Sequence, residues 1–207
     1  MASSTYPSKG HEKIALLITN KKMTLDMVLS RLDELLHTVP DPFAAGPKGW
    51  TPFIQAIRSD RIELVKYLIE AGHPLDGADD DGWTAVHWAI RSSTETLVML
   101  IRDHGISFEA KNASGSMPIH EASRQGNLEA IKVLLDEFKQ SVDVPDLNGH
   151  TPLQRAFLSR SINAAKFLIS RGANIHATSS TGRTVRDCAH FYPPLLALLD
   201  ELPASLK

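Results

Sequence analysis

The chain has 207 residues and a formal net charge of −2, which removes any bulk electrostatic case for nucleic acid or an anionic membrane. Its 43% hydrophobic and 22% charged residues are ordinary for a folded soluble protein. The single cysteine, Cys188, excludes an internal disulfide framework and suits a reducing compartment, and no apolar run approaches the roughly 18 residues that a membrane span needs. Taken in chain order, residues 1–10 are polar, lack the apolar region of a secretory signal and read as a disordered tail. Residues 11–45 read as an N-terminal helical cap or degenerate repeat. Its helical pair covers 11–38, and Leu32, Leu35 and Leu36 stand 33 residues before Val65, Leu68 and Ile69. The stretch from Val39 to Lys48 carries three prolines and reads as an ordered linker.

From residue 46 to 190 the chain repeats. Gly49, Gly82, Gly115, Gly149 and Gly182 stand 33, 33, 34 and 33 residues apart, and an alanine follows each at seven residues. The units read G-W-T-P-F-I-Q-A from Gly49, G-W-T-A-V-H-W-A from Gly82, G-S-M-P-I-H-E-A from Gly115, G-H-T-P-L-Q-R-A from Gly149 and G-R-T-V-R-D-C-A from Gly182. The glycine follows polar turn residues such as Asp79-Asp80-Asp81, where positive φ carries no steric cost. Thr-Pro then starts a first helix, with threonine as cap and proline where no N–H is needed. A second helix follows on an i, i+3, i+4 apolar stripe, for example Leu64-Val65 with Leu68-Ile69. Gly72, Gly105 and Gly172 stop three of these helices, whereas Phe138-Lys139 replaces the stop in the third unit and one residue is added. A longer second helix or an altered loop is expected there. Beyond 190, residues 191–207 read as a capping helix around Leu195-Leu196 and Leu198-Leu199, then a tail from 204.

This pattern resembles the ankyrin (ANK) repeat over about residues 46–190, with four full repeats and a fifth half-repeat. The resemblance implies an all-α repeat solenoid: a stack of helix pairs joined by β-turn or hairpin-like connections, between helical N-terminal and C-terminal caps. It departs at the motif histidine, which is Ile54, His87, His120, Gln154 and Asp187 in the five units.

The resemblance also implies a concave groove lined by turn tips and first helices, with three facing positions per repeat. After the glycine come Trp50, Trp83, Ser116, His150 and Arg183. In the last variable place of the motif come Gln55, Trp88, Glu121, Arg155 and Cys188; two after the alanine come Arg58, Arg91, Arg124, Leu158 and Phe191. All three tryptophans therefore fall on predicted groove positions, and three arginines recur at one position, about 10 Å apart as a row rather than one pocket. Exposed Trp and Arg are enriched in binding hot spots, and a guanidinium pairs with carboxylates or stacks on indoles. The competing structural reading has the tryptophans packing on neighbouring turns, and the arginines pairing with Asp60, Asp79–Asp81 or Glu121 on a solvated face.

Other clusters take plain readings. His87 and His120 sit one repeat apart, about 10 Å, too far to share one zinc, and the resemblance implies that this histidine bonds turn backbone. Asp79-Asp80-Asp81-Gly82 lacks the spaced oxygens of a calcium loop. Cys188 reads as a thiol of the end cap, and no nucleophile-elbow, P-loop or zincin motif is present.

The leading expectation is a non-catalytic interaction module, an adaptor, scaffold or inhibitor. It needs no cofactor or metal and binds a partner segment bearing acidic and apolar or aromatic residues through Trp50, Gln55, Arg58, Trp83, Trp88, Arg91, Glu121, Arg124, His150 and Arg155. No nucleic acid or membrane partner is expected; a capped stack suits a monomer in cytoplasm or nucleus. The alternative is a small-molecule site or atypical enzyme, with Trp50, Trp83 and Trp88 as an aromatic wall and Arg91, Glu121, Arg124 and His150 as polar or acid–base groups. A convex helical contact surface near Phe138 is a third arrangement.

Overall fold

The computed structural model describes residues 7–190 and 192–203. Phe191 and the expected tails at 1–6 and 204–207 lie outside the described residues. Where the repeat favours one elongated unit, the contacts cluster into two, Met1–Ile106 and Ser107–Lys207. Each helix pair packs only on its sequence neighbours, so contacts are local by construction.

The N-terminal unit holds α1 (Lys9–Thr19), α2 (Leu25–Thr38), α3 (Pro52–Arg58), α4 (Ile62–Glu70), α5 (Ala85–Ser92) and α6 (Thr94–Arg102). Helix α1 begins at Lys9 because the Ser8 side chain accepts from the Gly10 amide; residues 9 and 10, assigned to a tail from the sequence, are helical. The first helices α1, α3 and α5 pack in series, while α2 lies on α4. So α1 and α2 hold the places of a helix pair one repeat before α3 and α4. Their apolar faces meet in a core of Ile14, Ile18, Val28, Leu32, Phe53, Ile57, Leu64 and Leu68, each at most 1% exposed. Arg61 donates to the carbonyls of Ile18 and Asn20, satisfying acceptors at the C-terminal end of α1.

The C-terminal unit holds α7 (Pro118–Gln125), α8 (Leu128–Lys132), α9 (Pro152–Leu158), α10 (Ile162–Ser170), α11 (Val185–Cys188) and α12 (Pro193–Asp200). Helix α9 packs against α7, α10 and α11, and α10 against α8 and α12. The added residue of the third repeat appears as a π turn over Val133–Glu137, in which the Phe138 amide reaches the Val133 carbonyl at 3.1 Å. Lys139, at φ 56°, takes the left-handed conformation that Gly72 and Gly172 take at φ 82° and 83°. Beyond α11, the capping helix expected around Leu195-Leu196 and Leu198-Leu199 is α12, with Pro193 and Pro194 in its first turn.

Among the described residues the secondary structure is helical, apart from one isolated bridge between Ala78 and Thr84. The all-α repeat character expected from the sequence holds in both units.

Candidate functional site

Between helix pairs the chain forms turn fingers whose geometry repeats. The residue three before the comb glycine takes the amides of the second and fourth residues after it: Asp79 from Asp81 and Trp83, Asn112 from Ser114 and Ser116, Asp146 from Asn148 and His150. Neighbouring fingers touch through backbone, with the Asp80 amide on the Lys48 carbonyl at 3.1 Å and the Ser180 amide on the Asn148 carbonyl at 2.8 Å. That closeness explains two glycines. A Cβ on Gly49 would stand 2.6 Å from the Asp80 nitrogen, and one on Gly149 2.7 Å from the Ser180 nitrogen.

Each finger leads into a first helix through one cap position. His120 accepts the Met117 amide on Nδ1 and donates from Nε2 to the Val144 carbonyl, 2.9 Å away in the next finger. Gln154 accepts the Thr151 amide on Oε1 and donates to the carbonyls of Ala177 and Arg183. Asp187 accepts the Thr184 amide. Histidine, glutamine and aspartate therefore do the same capping work. His87 takes the Thr84 amide in the same way. With Ile54 at this place in the first repeat, buried His73 comes from outside the motif and accepts the Phe53 amide on Nε2. Among the described residues no group of three His, Cys, Asp or Glu side chains is placed to hold a metal.

In the N-terminal unit the predicted residues converge. Trp50 and Trp88 meet edge to face with centroids 6.2 Å apart, and Trp83 and Trp88 are tilted at 5.0 Å. Arg58 places its guanidinium carbon 3.3 Å from the Trp50 centroid and 4.7 Å from that of Trp88. Arg91 lies 5.6 Å from both Trp83 and Trp88, and Lys48 Nζ 5.0 Å from Trp50. The indole N–H of Trp88 donates to Oδ2 of buried Asp79 at 3.0 Å. Burial lowers the Arg58 pKa from its usual value, Asp79 opposes that, and Arg91 adds to it. The three indoles are half-buried and both arginines exposed. Guanidinium groups thus lie over the indole rings, and of the three indoles Trp50 also lines a recess beside α1. Gln55 is buried, with its amide on the Trp50 carbonyl.

In the C-terminal unit the predicted residues form ion pairs. Buried Glu121 receives Arg124 at both oxygens, 2.7 and 2.6 Å, and Gln125 at 2.5 Å. These bonds raise the Arg124 pKa. Buried Asp146 receives Arg155 Nε at 2.8 Å besides the two finger amides. His150 lies beside that pair, its Nδ1 3.7 Å from Asp146, and burial followed by Arg155 lowers its pKa. Leu158 is 45% exposed, and Ser116 is buried in its finger. Cys188 is half-buried, and burial raises its thiol pKa.

The sequence reading expects α1 as part of the N-terminal cap but does not place it at the site. A recess of about 180 Å³ opens between Leu16 and Thr19 of α1 and Trp50 and Arg58 of the first repeat. Leu16 is 61% exposed, an apolar side chain at an i+4 step from Glu12 on the outer face of the helix. That outward apolar residue was the available signal.

The family model for ankyrin repeats (three copies) matches residues 8–112 and 100–179, so the match includes α1 and α2. Protein phosphatase 1 regulatory subunit 27 of Mus musculus is 33% identical over 84 residues, which are 40% of this chain and 54% of that protein. The matched stretch therefore spans about half the length of that relative.

Proposed function

Since the chain belongs to the ankyrin-repeat family, we propose that it is a non-catalytic interaction module acting through a partner protein, with the Trp/Arg cluster of its N-terminal unit as the main contact surface. The observation that carries this is the interlock of Trp50, Trp83 and Trp88 with Arg58 and Arg91, half-buried rings beneath exposed cations. Such a surface is rigid, amphipathic and positively charged, and so suits a segment with acidic and apolar or aromatic side chains. The paired Arg124 and Glu121, and Arg155 beside His150, form a separate candidate contact of the C-terminal unit. Similarity to a regulatory subunit supports a role exerted through another protein's activity.

The test is comparative capture. Full-length wild-type chain and the triple variant Arg58→Glu, Arg91→Glu, Arg124→Glu are used as bait in the same extract, and bound proteins are quantified by mass spectrometry. A defined set of proteins should be lost from the variant while its circular dichroism stays native. The same set on both baits sinks the reading.

A further inference from the structure

The Arg58 guanidinium packs against two indole rings, those of Trp50 and Trp88, while among the described residues no hydrogen bond or ion pair reaches its N–H donors. It opens onto the recess beside α1, whose other wall includes Leu16 and whose lining includes Glu12. We propose that this recess is a carboxylate receptor: it takes one Asp or Glu side chain of a partner peptide on Arg58, with an adjacent apolar residue of that peptide lying over Leu16. The assignment deepens the recognition reading above and rests on it.

Two observations favour this occupant. A guanidinium already packed over the Trp50 ring and beside Trp88 has lost part of its side-chain freedom, so pairing with a planar carboxylate orders little more. The recess, at about 180 Å³, is smaller than the roughly 300 Å³ at which pockets for whole small molecules begin, and so fits a side chain. Charge then selects within anions. Glu12 shares the lining with Arg58, so a dianionic phosphate meets repulsion that a single carboxylate meets only weakly. Lys48, over Trp50, adds a longer-range attraction for an acidic segment.

Random dodecapeptides displayed on phage are selected on the full chain, and the most enriched peptide is resynthesised with a fluorescein label for anisotropy titration. The selected peptides should carry Asp or Glu beside Leu, Met or Phe. Replacing that acid by its amide, or making Arg58→Gln in the protein, should each weaken binding by roughly tenfold to a hundredfold. Both changes together should lose little more than either alone, because they remove the same pair. Leu16→Asp should also weaken binding. Circular dichroism of each variant should match wild type, as both positions are exposed. Enriched peptides without an acid, full affinity in Arg58→Gln, or tighter binding of a phosphoserine version overturns the carboxylate assignment. If Trp83→Ala and Arg91→Glu abolish binding while Arg58→Gln does not, the wider surface stands and the receptor does not. If no peptide is enriched, both fall.

Discussion

The guanidinium carbon of Arg58 stands 3.3 Å from the ring centroid of Trp50, at stacking distance. The contact joins the end of α3 to the tip of the finger that starts it, so it contributes to stability as well as to the proposed contact surface. Arg58→Ala should lower unfolding free energy by about 1 kcal/mol, the size of a partly exposed cation–π contact. Urea denaturation followed by tryptophan fluorescence measures it, with a shifted native emission maximum as the second readout. An unchanged midpoint and spectrum would falsify the stacking.

Trp88→Phe should cost more. It keeps an aromatic ring but deletes the N–H that donates to buried Asp79. Leaving a buried carboxylate oxygen short of a donor costs about 1–3 kcal/mol. Asp79 also holds two finger amides, so hydrogen exchange at Asp81 and Trp83 should speed up in parallel.

Asp146 offers a graded comparison within one position. Asp146→Ala strips Arg155 of its buried partner and two amides of their acceptor, and should destabilise by about 3 kcal/mol. Asp146→Asn keeps an acceptor for both amides, as Asn112 does at the matching place one repeat earlier, and should cost clearly less. Equal midpoints for the two variants in chemical denaturation count against this account.

The comb glycines should not be equivalent. Gly149→Ala combines φ 72° with a Cβ 2.7 Å from the Ser180 backbone nitrogen, so the fingers must separate. Gly182→Ala has φ 75° but open space around its Cβ, leaving only the backbone penalty of about 1–2 kcal/mol. Thermal unfolding should rank Gly149→Ala well below Gly182→Ala.

His73 sets an acid limit. Burial between Phe43 and Phe53 pushes its pKa down from 6.5 to about 4, while Nδ1–H donates to the Pro74 carbonyl. The unfolded chain therefore takes up a proton that the folded chain refuses. The associated stability is full above about pH 6.5 and is lost as pH falls toward about 4, roughly 3 kcal/mol in all. His120, also lowered by burial, adds loss in the same direction. His73→Gln, which keeps an acceptor and a donor as Gln154 does, should flatten the fall in stability between about pH 7 and about pH 5. A slope identical to wild type excludes His73 as the titrating group.

The comb was legible because backbone rules wrote it. Positive φ demands glycine at Gly49 and Gly149, and Thr51-Pro52 and Thr151-Pro152 start helices through local bonds alone. What stayed hidden depends on where side chains turn after packing. Gln55 and Glu121 occupy the same motif place as half-buried Trp88 and Arg155, yet both are buried. Nothing local marks His73 as an acceptor for the first turn of α3, since it reaches the Phe53 amide from twenty residues away. In the sequence the variable motif residue stands only as a departure from the repeat. His120, Gln154 and Asp187 instead share one acceptor position, which the identity of the letter conceals.

The π turn after α8 shows how a periodic protein tolerates a spelling error. One surplus residue between Gly115 and Gly149 is accommodated as one wider helical turn, and Lys139 then restores the exit. The next finger still meets its follower amide to carbonyl at 2.8 Å. Length drift is thereby quarantined in the second helix of the repeat, and single-residue insertions should survive after Leu128 where they would be lethal to the fold between Asp146 and Thr151.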